Sequence, residues 1–252
     1  MRLLLDIGNT RIKWAVLTGK GLQAQQAIAH AGLSTAQLGT QVFAPSGQVT
    51  QVLVSNVAGP AMAEQVRQAA RDCWQLEPQF VTATASVSVE GRVLRNAYAE
   101  PQKLGSDRWL AMLAAHALEP AAALVVSVGT AMTLDAVSET GQHLGGMIVP
   151  GPDLMMSSLM HNTSDIAARA AQGAQDDVFF ADNTLGCVYQ GALHAAVALI
   201  EAAHARLATT AGPVRLLLTG GAASRIQPHL SMPVQALPDL VLRGLAVYGL
   251  AH

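Results

Sequence analysis

The hydrophobic pattern of the N-terminal part of the chain predicts a β-hairpin followed by further strands. Residues 3–5 form a continuous apolar run typical of a buried strand, and residues 8–10 place a Gly-Asn-Thr turn directly after it. Residues 12–16 return as a second strand with partial alternation. A third strand is predicted near residues 22–29, and another over residues 51–55.

Helical spacing and helix-breaking residues predict two helices before residue 120. Pro60 suits the first turn of a helix that runs to about Trp74. A short strand is predicted near residues 80–81, and residues 84–101 are predicted to form a loop. A second helix is predicted over residues 107–118, just before a proline that ends it.

The second half of the chain begins with the same order of elements. Residues 124–126 predict a buried strand, residues 129–130 a glycine turn, residues 132–137 the returning strand and residues 143–149 a third strand. The remaining predicted elements are a long helix within 184–208, a strand over 214–218, a Gly-Gly turn and a final helix from Pro238 or Asp239.

This repetition predicts an α/β protein made of two related domains with a cleft between them. Ser-Val-Gly-Thr at residues 127–130 aligns with Asp-Ile-Gly-Asn at residues 6–9, and the repeat is far longer than a solenoid unit. We predict a boundary near residues 118–123, which gives halves of 1–118 and 119–252. Small ligands tend to bind in clefts between domains.

Composition and charge exclude several classes of partner. Hydrophobic residues make up 51% of the chain, charged residues 13% and aromatic residues 4%, which disfavours disorder and base-stacking surfaces. A formal charge of -2 without a basic stripe argues against direct nucleic-acid binding. No apolar run reaches about 18 residues, so we expect no membrane span and a cytoplasmic location. Cys73 and Cys187 are expected to be buried small hydrophobes in a reducing compartment.

The N-terminal turn carries the first candidate chemistry. Gly8 permits a tight turn and a close approach of the backbone to a ligand, and successive N–H groups there can form an anion-binding concavity. Lys13 can reach a phosphate, and Asp6 at the end of a buried strand could hold Mg²⁺ directly or through water. An ordinary hairpin turn would contain the same residues, so this motif alone leaves both interpretations open.

Two further small-residue turns favour a phosphate site over an ordinary turn. Residues 127–130 and the Thr-Gly-Gly-Ala segment at 219–222 each follow a buried strand, where ligands bind in α/β sheets. Any one of these turns could be structural, but three of them could hold one nucleotide together. The chain has no Gly-x-x-x-x-Gly-Lys-Ser/Thr segment, which disfavours a Walker-type ATPase.

The segment from Tyr98 to Trp109 supplies a candidate base and candidate substrate contacts. Asp107 begins a helix, whose positive end keeps a carboxylate ionised and able to accept a hydroxyl proton in phosphoryl transfer. Arg108 can pair with a carboxylate or a phosphoryl oxygen, and Tyr98 can offer a ligand an apolar wall and a hydroxyl group. Taken alone, an Asp-Arg pair more often has a structural role only, in which the aspartate starts a helix and the arginine is a solvated surface charge.

In this order, the motifs resemble those of the actin, sugar-kinase and Hsp70 superfamily, whose domains are duplicated RNase H-like, actin-like folds. The complete set is similar to type III pantothenate kinases, a family that also includes proteins named Bvg accessory factor. The resemblance covers essentially the whole chain. The matching segments are Asp6 to Thr10, Tyr98 with Pro101, Leu104 to Arg108, Gly129 to Ala131, Gly145 to Gly151, Asn183 with Thr184, and Thr219 to Gly221.

The resemblance implies ATP-dependent phosphorylation of pantothenate to 4'-phosphopantothenate, the first step of coenzyme A biosynthesis, by a cytoplasmic homodimer. It implies Asp107 as the catalytic proton acceptor and Mg²⁺ as the metal, with Asp6 as its candidate ligand. The implied ATP contacts are Asp6, Ile7, Gly8, Asn9, Thr10, Arg11, Ile12, Lys13 and Thr130. The implied pantothenate contacts are Tyr98, Gly105, Ser106, Asp107, Arg108 and Thr184, the last beside residues of the other subunit.

One position departs from the family pattern. Many members carry Asp-x-Gly-Thr in the second half, and that aspartate helps to hold a monovalent cation such as K⁺ or NH₄⁺. This chain has Ser127 there, a neutral group with less attraction for a cation. We therefore expect weakened or altered cation binding, and a K⁺ or NH₄⁺ requirement is left open.

Two other functions stay open on the sequence. A kinase acting on a sugar or acyl substrate would use the same scaffold, although the segment from Tyr98 to Arg108 argues against it. The other alternative is a non-catalytic regulator that acts through a protein partner. The sequence has no helix-turn-helix pattern, which argues against direct DNA binding by such a regulator.

Overall fold

The computed structural model describes residues 1–163 and 178–251 and divides the chain into two compact units. The first unit contains Met1–Pro120, Val137–Leu144 and the residues from Asp239 on. The second contains Ala121–Ala136 and Gly145–Pro238. The domain halves 1–118 and 119–252 stay a prediction.

A six-stranded sheet forms the centre of the first unit. Its central strand β1 pairs antiparallel with β2 and parallel with β5, in the order β3-β2-β1-β5-β6, and β4 also pairs with β2. Leu3, Leu4 and Leu5 alternate between the two faces of the sheet and are all fully buried, so both faces are covered. The strands are β1 (Arg2–Ile7), β2 (Arg11–Thr18), β3 (Gly21–Leu22), β4 (Gln26–Ala29), β5 (Gln51–Asn56) and β6 (Gln79–Phe80).

Residues 84–101 are not a loop throughout, so that prediction is wrong. β7 (Ser86–Val89) and β8 (Arg92–Arg95) form an antiparallel hairpin, whose turn at Glu90 and Gly91 has positive φ angles of 50° and 79°. The serines of β7 are exposed and its valines are buried, which is the pattern of a half-buried strand. The predicted strand near residues 22–29 is divided into β3 and β4.

Close packing against the C-terminal helix (Leu240–Ala251) fixes the position of α3 (Ser106–Leu118). The helix is buried from Arg108 to His116, as expected for a helix that is apolar on all sides. The C-terminal helix approaches so closely that a Cβ on Gly244 would lie 2.1 Å from the Leu110 carbonyl oxygen. The helices of this unit are α1 (Thr35–Leu38), α2 (Pro60–Trp74), α3 (Ser106–Leu118) and the C-terminal helix (Leu240–Ala251), with short 3₁₀ or π turns at Gly39–Phe43, Ala44–Ser46 and Pro101–Lys103.

The second unit is built around a five-stranded sheet in the order β11-β10-β9-β12-β13. The strands are β9 (Ala123–Val128), β10 (Ala131–Val137), β11 (His143–Pro150), β12 (Arg215–Thr219) and β13 (Val234–Ala236). In the part of this unit that the structure describes, the helices are α4 (Pro152–Asn162), α5 (Thr184–Ala211) and α6 (Ala223–Ile226), with a 3₁₀ turn at Gln227–His229. The C-terminal helix of the first unit is α7.

The two sheets have the same topology, which confirms the predicted repeat of elements. In each, the central strand lies between the strand that follows it in sequence and a later, parallel strand, β5 for β1 and β12 for β9. Each unit also has an apolar cluster of its own. The duplication is therefore present in the strand order as well as in the sequence motifs.

Both cysteines are exposed, which contradicts the expectation of buried thiols. Cys73 lies in the last turn of α2, beyond the buried stripe that runs from Met62 to Ala70. Cys187 lies in the first turn of α5. The small, apolar character of cysteine favours burial on average. Both cysteines here lie in an end turn of a helix, and there their side chains are exposed.

Among the residues that the structure describes, α5 is the one helix long and apolar enough to cross a membrane, with a mean hydropathy of 1.3. Leu193, Ala196 and Ile200 of this helix are buried in the apolar cluster of the second unit. A helix that packs in a protein core meets the same criterion of length and composition, so the match does not assign a span.

Candidate active site

The turn between β1 and β2 is held by three hydrogen bonds. The Gly8 N–H donates to the Arg11 carbonyl oxygen at 3.1 Å, which closes the turn. His30, directly after β4, donates its Nε2–H to the Gly8 carbonyl oxygen at 2.8 Å and its backbone N–H to the Thr10 carbonyl oxygen at 3.2 Å. Asn9, Thr10 and Arg11 are exposed, so the turn presents backbone and side chains to a ligand.

Asp6 is a buried carboxylate close to this turn, with 8% of its surface exposed. It pairs across the sheet with Lys13 on β2 and Ser55 on β5. Burial raises the pKa of Asp6 to about 7, with Lys13 opposing the rise and the charge of Asp107 adding to it. A buried carboxylate of this kind gains from a bound cation, so this strand end suits Mg²⁺.

The first turn of α3 carries the candidate base. Ser106 Oγ and Ser55 Oγ are hydrogen bonded at 2.9 Å in a buried position, which ties α3 to β5. Asp107 is half-buried, and its Oδ1 accepts the Arg108 N–H at 2.8 Å. The positive end of a helix favours an ionised carboxylate at this position. Ser55 pairs with Asp6 across the sheet and Ser106 precedes Asp107, so the hydrogen bond between the two serines brings the two carboxylates to the same region. The charge of Asp107 adds to the rise in the pKa of Asp6.

Gly105, the N-cap of α3, leaves the space that the Asp107 carboxylate occupies. A Cβ on Gly105 would lie 2.6 Å from Asp107 Oδ1 and 3.9 Å from a methyl carbon of Val57. The φ angle of Gly105 is -56°, which any residue can adopt, so glycine is needed here for space and not for backbone freedom. A side chain at this position would displace the candidate base.

Arg108, Tyr98 and His143 form a connected group in the same unit. Arg108 is 7% exposed and donates an Nη1 hydrogen to Tyr98 Oη at 3.1 Å, with its guanidinium carbon 5.8 Å from the ring centroid. The Tyr98 ring stacks on the His143 ring at a centroid separation of 6.2 Å and an interplanar angle of 17°. Arg108 is therefore a buried, oriented cation and not a solvated surface charge.

The other predicted site residues lie in the second unit. Thr130 occupies the turn between β9 and β10, which the Gly129 N–H closes by donating to the Ala131 carbonyl oxygen at 3.0 Å. Thr184 is the first residue of α5 and follows Asn183, whose side chain caps that helix. The structure thus places both threonines at element ends, where side chains and backbone can reach a ligand.

Ser127 occupies in β9 the position that Asp6 occupies in β1. Each is the fifth residue of its six-residue strand. Ser127 pairs with Thr219 on the parallel strand β12, as Asp6 pairs with Ser55 on β5. The strand register therefore agrees with the sequence alignment of the two motifs and leaves a hydroxyl where the first unit has a carboxylate.

The predicted site residues are distributed over both units, and most of them lie in the first. The side chains of Ile7 and Ile12 are fully buried in the core, so a nucleotide could meet these residues only through their backbone. Their roles, like those of the other site residues, stay predictions. The first unit contains Asp6 to Lys13, Tyr98 and Gly105 to Arg108, and the second contains Thr130 and Thr184.

Three residues that contact the predicted site were missed by sequence reasoning. They are His30, Ser55 and His143, which contact Gly8, Ser106 and Tyr98 respectively. Ser55 was predicted only as a strand residue, although its place at a strand end was a usable signal. The two histidines belong to no local motif. His30 is positioned by the pairing of β4 with β2, and His143 follows Gln142, which forms an isolated bridge with Arg95.

The acidic groups of the site fit a metal that arrives with a nucleotide. Within residues 1–163 and 178–251, no group of three or more His, Cys, Asp or Glu side chains could hold a metal ion. Mg²⁺ usually keeps several waters and binds through one or two carboxylates together with substrate phosphates. The role of Asp6 as a ligand of such a metal stays a prediction.

The fold is that of the actin-like ATPases and sugar kinases, as predicted. MreB 5 of Spiroplasma citri, bound to AMPPNP, superposes with a TM-score of 0.51 at 10% identity, over 98% of this chain and 95% of that chain. At this identity the likeness shows the fold alone.

The sequence narrows this class to one family. The family described as type III pantothenate kinase matches residues 2–206. A type III pantothenate kinase from Nitrosococcus oceani is 38% identical over 252 residues, covering 98% of this chain and 92% of the relative. One from Aromatoleum aromaticum is 40% identical over 247 residues, covering 98% and 97%. The chain belongs to the type III pantothenate kinase family, which confirms the resemblance.

Proposed function

We propose that this chain uses ATP to phosphorylate pantothenate, forming 4'-phosphopantothenate in the first step of coenzyme A biosynthesis. Family membership supports the reaction. One observation supports its location: Ser55, which pairs with Asp6 across the sheet, is hydrogen bonded to Ser106, the neighbour of Asp107 on the first turn of α3. Phosphoryl transfer needs a proton acceptor beside a metal and phosphate site, and these two carboxylates supply those roles within one unit.

The turn between β1 and β2 binds the ATP phosphates. Its exposed backbone at Asn9 and Thr10 offers N–H donors, and the exposed Arg11 offers a guanidinium group. Lys13 is half-buried beside Asp6, so its ammonium group can balance both the carboxylate and a phosphate. Thr130, in the corresponding turn between β9 and β10, is the other residue that the family resemblance implies for nucleotide binding.

Asp6 holds the metal in this proposal, directly or through water. A Mg²⁺ ion held there would neutralise negative charge on the ATP phosphates. Asp6 must lose its proton to bind a cation, and its pKa of about 7 places that loss in the physiological range. The carboxylate would therefore be deprotonated wherever it holds the metal.

Asp107 accepts the proton of the pantothenate hydroxyl group as the hydroxyl oxygen attacks the γ-phosphorus. The new bond joins that oxygen to phosphorus, and the bond from phosphorus to the β,γ-bridging oxygen breaks to leave ADP. Asp107 lies in the first turn of α3, where the positive end of the helix favours the ionised carboxylate that this step needs. Most of the rate then comes from holding the hydroxyl and the phosphate in line.

Arg108, Tyr98 and Thr184 bind pantothenate. Arg108 is a cation of suitable charge for the pantothenate carboxylate, and its low exposure makes that pairing strong. Tyr98 provides an aromatic wall, oriented by stacking on His143. Ser106 uses its hydroxyl on Ser55, so it holds α3 in place and leaves substrate contact to its neighbours.

A coupled assay of ATP consumption with and without pantothenate tests the proposal. We expect pantothenate-dependent turnover that requires Mg²⁺, with little activity on a panel of sugars and hydroxy acids. Arg108→Met should raise the KM for pantothenate, whereas Arg67→Met, at a surface ion pair on α2, should not. Preference for a sugar would establish the alternative kinase function, and retained partner binding without any transfer would establish the regulator.

The proposal includes a homodimer that associates through β11 and α4. β11 is an edge strand of its sheet and exposes Met147 and Ile148, and α4 exposes Leu154 and Leu159. Exposed apolar side chains on an edge strand mark an association surface. Light scattering should give a dimeric mass, and Ile148→Arg should give a monomer. A monomeric wild-type protein would contradict this part of the proposal.

The proposal also includes a cytoplasmic location and a reduced role for a monovalent cation. Ser127 offers a hydroxyl oxygen where many family members offer a carboxylate, so K⁺ or NH₄⁺ would be held less tightly. Repeating the coupled assay in K⁺, NH₄⁺ and Na⁺ measures this directly. Strong activation by K⁺ would show that other oxygen ligands compensate.

A further inference from the structure

We propose that His30 is a positioning residue for the ATP phosphates and acts through the Gly8 carbonyl group. The inference rests on the proposed function, since it concerns phosphates bound at the turn between β1 and β2. His30 is half-buried, follows β4 and lies 22 residues from Gly8 in the sequence. It contacts the backbone of the turn, and the proposed role needs no contact between His30 and the ligand.

His30 holds the turn at two points. Its Nε2–H donates to the Gly8 carbonyl oxygen at 2.8 Å, and its backbone N–H donates to the Thr10 carbonyl oxygen at 3.2 Å. The pairing of Arg11 with Ala29 on β4 brings His30 to this place. The side-chain hydrogen bond therefore fixes the peptide group between Gly8 and Asn9, and the strand pairing fixes the position of His30 itself.

The bond to the Gly8 carbonyl sets the direction of the next N–H. In a planar trans peptide the C=O and the following N–H point in opposite directions, so the Asn9 N–H points away from His30. Gly8 has no Cβ, and its peptide can rotate more readily than that of any other residue. Rotation would turn an acceptor oxygen, instead of a donor, toward a bound anion. His30 prevents this rotation.

The chemistry of the bond identifies the ring nitrogen that matters. A carbonyl oxygen only accepts, so Nε2 must carry the hydrogen, whichever state Nδ1 adopts. Glutamine places its amide nitrogen at the same number of bonds from Cα as Nε2, whereas asparagine places it as close as Nδ1. Glutamine should therefore replace His30, and asparagine should not.

The test measures Mg²⁺–AMPPNP affinity by calorimetry and the KM values for ATP and pantothenate. His30→Ala and His30→Asn should weaken AMPPNP binding and raise the KM for ATP by about tenfold, the usual effect of one lost hydrogen bond. The KM for pantothenate should stay within about twofold of wild type, and His30→Gln should recover most of the AMPPNP affinity.

His204→Ala is the matched control. His204 Nε2 is hydrogen bonded to the Val214 carbonyl oxygen at 3.0 Å in the second unit. Replacing His204 therefore removes a similar hydrogen bond that does not involve the turn. It should lower the unfolding temperature and leave the KM for ATP unchanged.

Three outcomes would overturn the proposal for His30: unchanged AMPPNP affinity in His30→Ala, a glutamine variant as poor as alanine, or parallel changes in both KM values. A wild-type protein that binds AMPPNP without phosphorylating pantothenate would refute the proposed function, while calorimetry would still decide the role of His30. A wild-type protein that does not bind AMPPNP would contradict both.

Discussion

Replacing Asp6 with asparagine should stabilise the ligand-free protein above pH 7 and abolish its kinase activity. The pKa of Asp6 rises from 3.8 to about 7, chiefly because the carboxylate is buried. The folded state therefore binds this proton more tightly than the unfolded state. Stability from this group is present at low pH, is lost as pH rises from about 4 to about 7, and stays absent above 7.

The size of the loss follows from the shift in pKa. About three units, at 1.36 kcal/mol per unit, correspond to about 4 kcal/mol of unfolding free energy. Asp6 is only 8% exposed, so solvent screens little of this. Asparagine has a similar shape and no charge, and should not suffer the loss. The stability of Asp6→Asn relative to wild type should therefore increase by up to about 4 kcal/mol between about pH 4 and pH 8.

Urea unfolding at a series of pH values, without Mg²⁺ or nucleotide, measures this difference directly. Asp72→Asn, on the exposed side of α2, is the matched control and should show little pH-dependent difference from wild type. A stability difference for Asp6→Asn that does not change with pH would refute the reasoning. The reasoning would also be refuted if the unfolding free energy of wild type increased relative to that of the variant as the pH rises.

A bound ligand should stabilise wild type more than it stabilises Asp6→Asn. Saturating Mg²⁺–AMPPNP stabilises a folded protein according to its affinity, and wild type has the carboxylate that the variant lacks. At pH 8 wild type should gain more stability from the ligand than Asp6→Asn gains. An equal gain would show that Asp6 takes no part in binding the metal.

Further predictions concern the other residues of the site. Gly105→Ala should lower kcat by about tenfold or more, because the added Cβ would lie 2.6 Å from Asp107 Oδ1 and displace the candidate base. Gly19→Ala adds a Cβ in open space and should leave kcat unchanged. Equal kcat values for the two variants would contradict this prediction. Ser127→Asp should increase activation by K⁺ in the coupled assay, and no change would mean that the cation is held elsewhere. Tyr98→Phe removes an acceptor from a buried guanidinium group and should raise the KM for pantothenate by about tenfold; an unchanged KM would remove Tyr98 from the pocket.

Sequence patterns predicted the elements whose signals lie among neighbouring residues. α2 runs from Pro60 to Trp74 as predicted, because a helix-starting proline and an apolar stripe act within one segment. The hairpin of β7 and β8 was missed because its strands have only four residues each and one apolar face. Short alternating strands give a weak signal beside polar residues and turns.

The candidate site was predictable where its residues are adjacent in the sequence, at 6–13 and 105–108. Its supporting contacts were not, because they depend on strand register. Ser55 reaches Asp6 through parallel pairing of β5 with β1, and His30 reaches Gly8 through pairing of β4 with β2. The pKa of Asp6 depends on burial from all sides, and no local pattern contains that information.

Single-turnover transfer from ATP to pantothenate by Asp107→Asn tests the central claim most directly. General-base loss should slow transfer by about a hundredfold or more, while calorimetry should find Mg²⁺–AMPPNP binding close to wild type. Asp72→Asn should transfer at the wild-type rate. Unchanged transfer by Asp107→Asn would contradict the account, because the carboxylate at the start of α3 would then not be the proton acceptor.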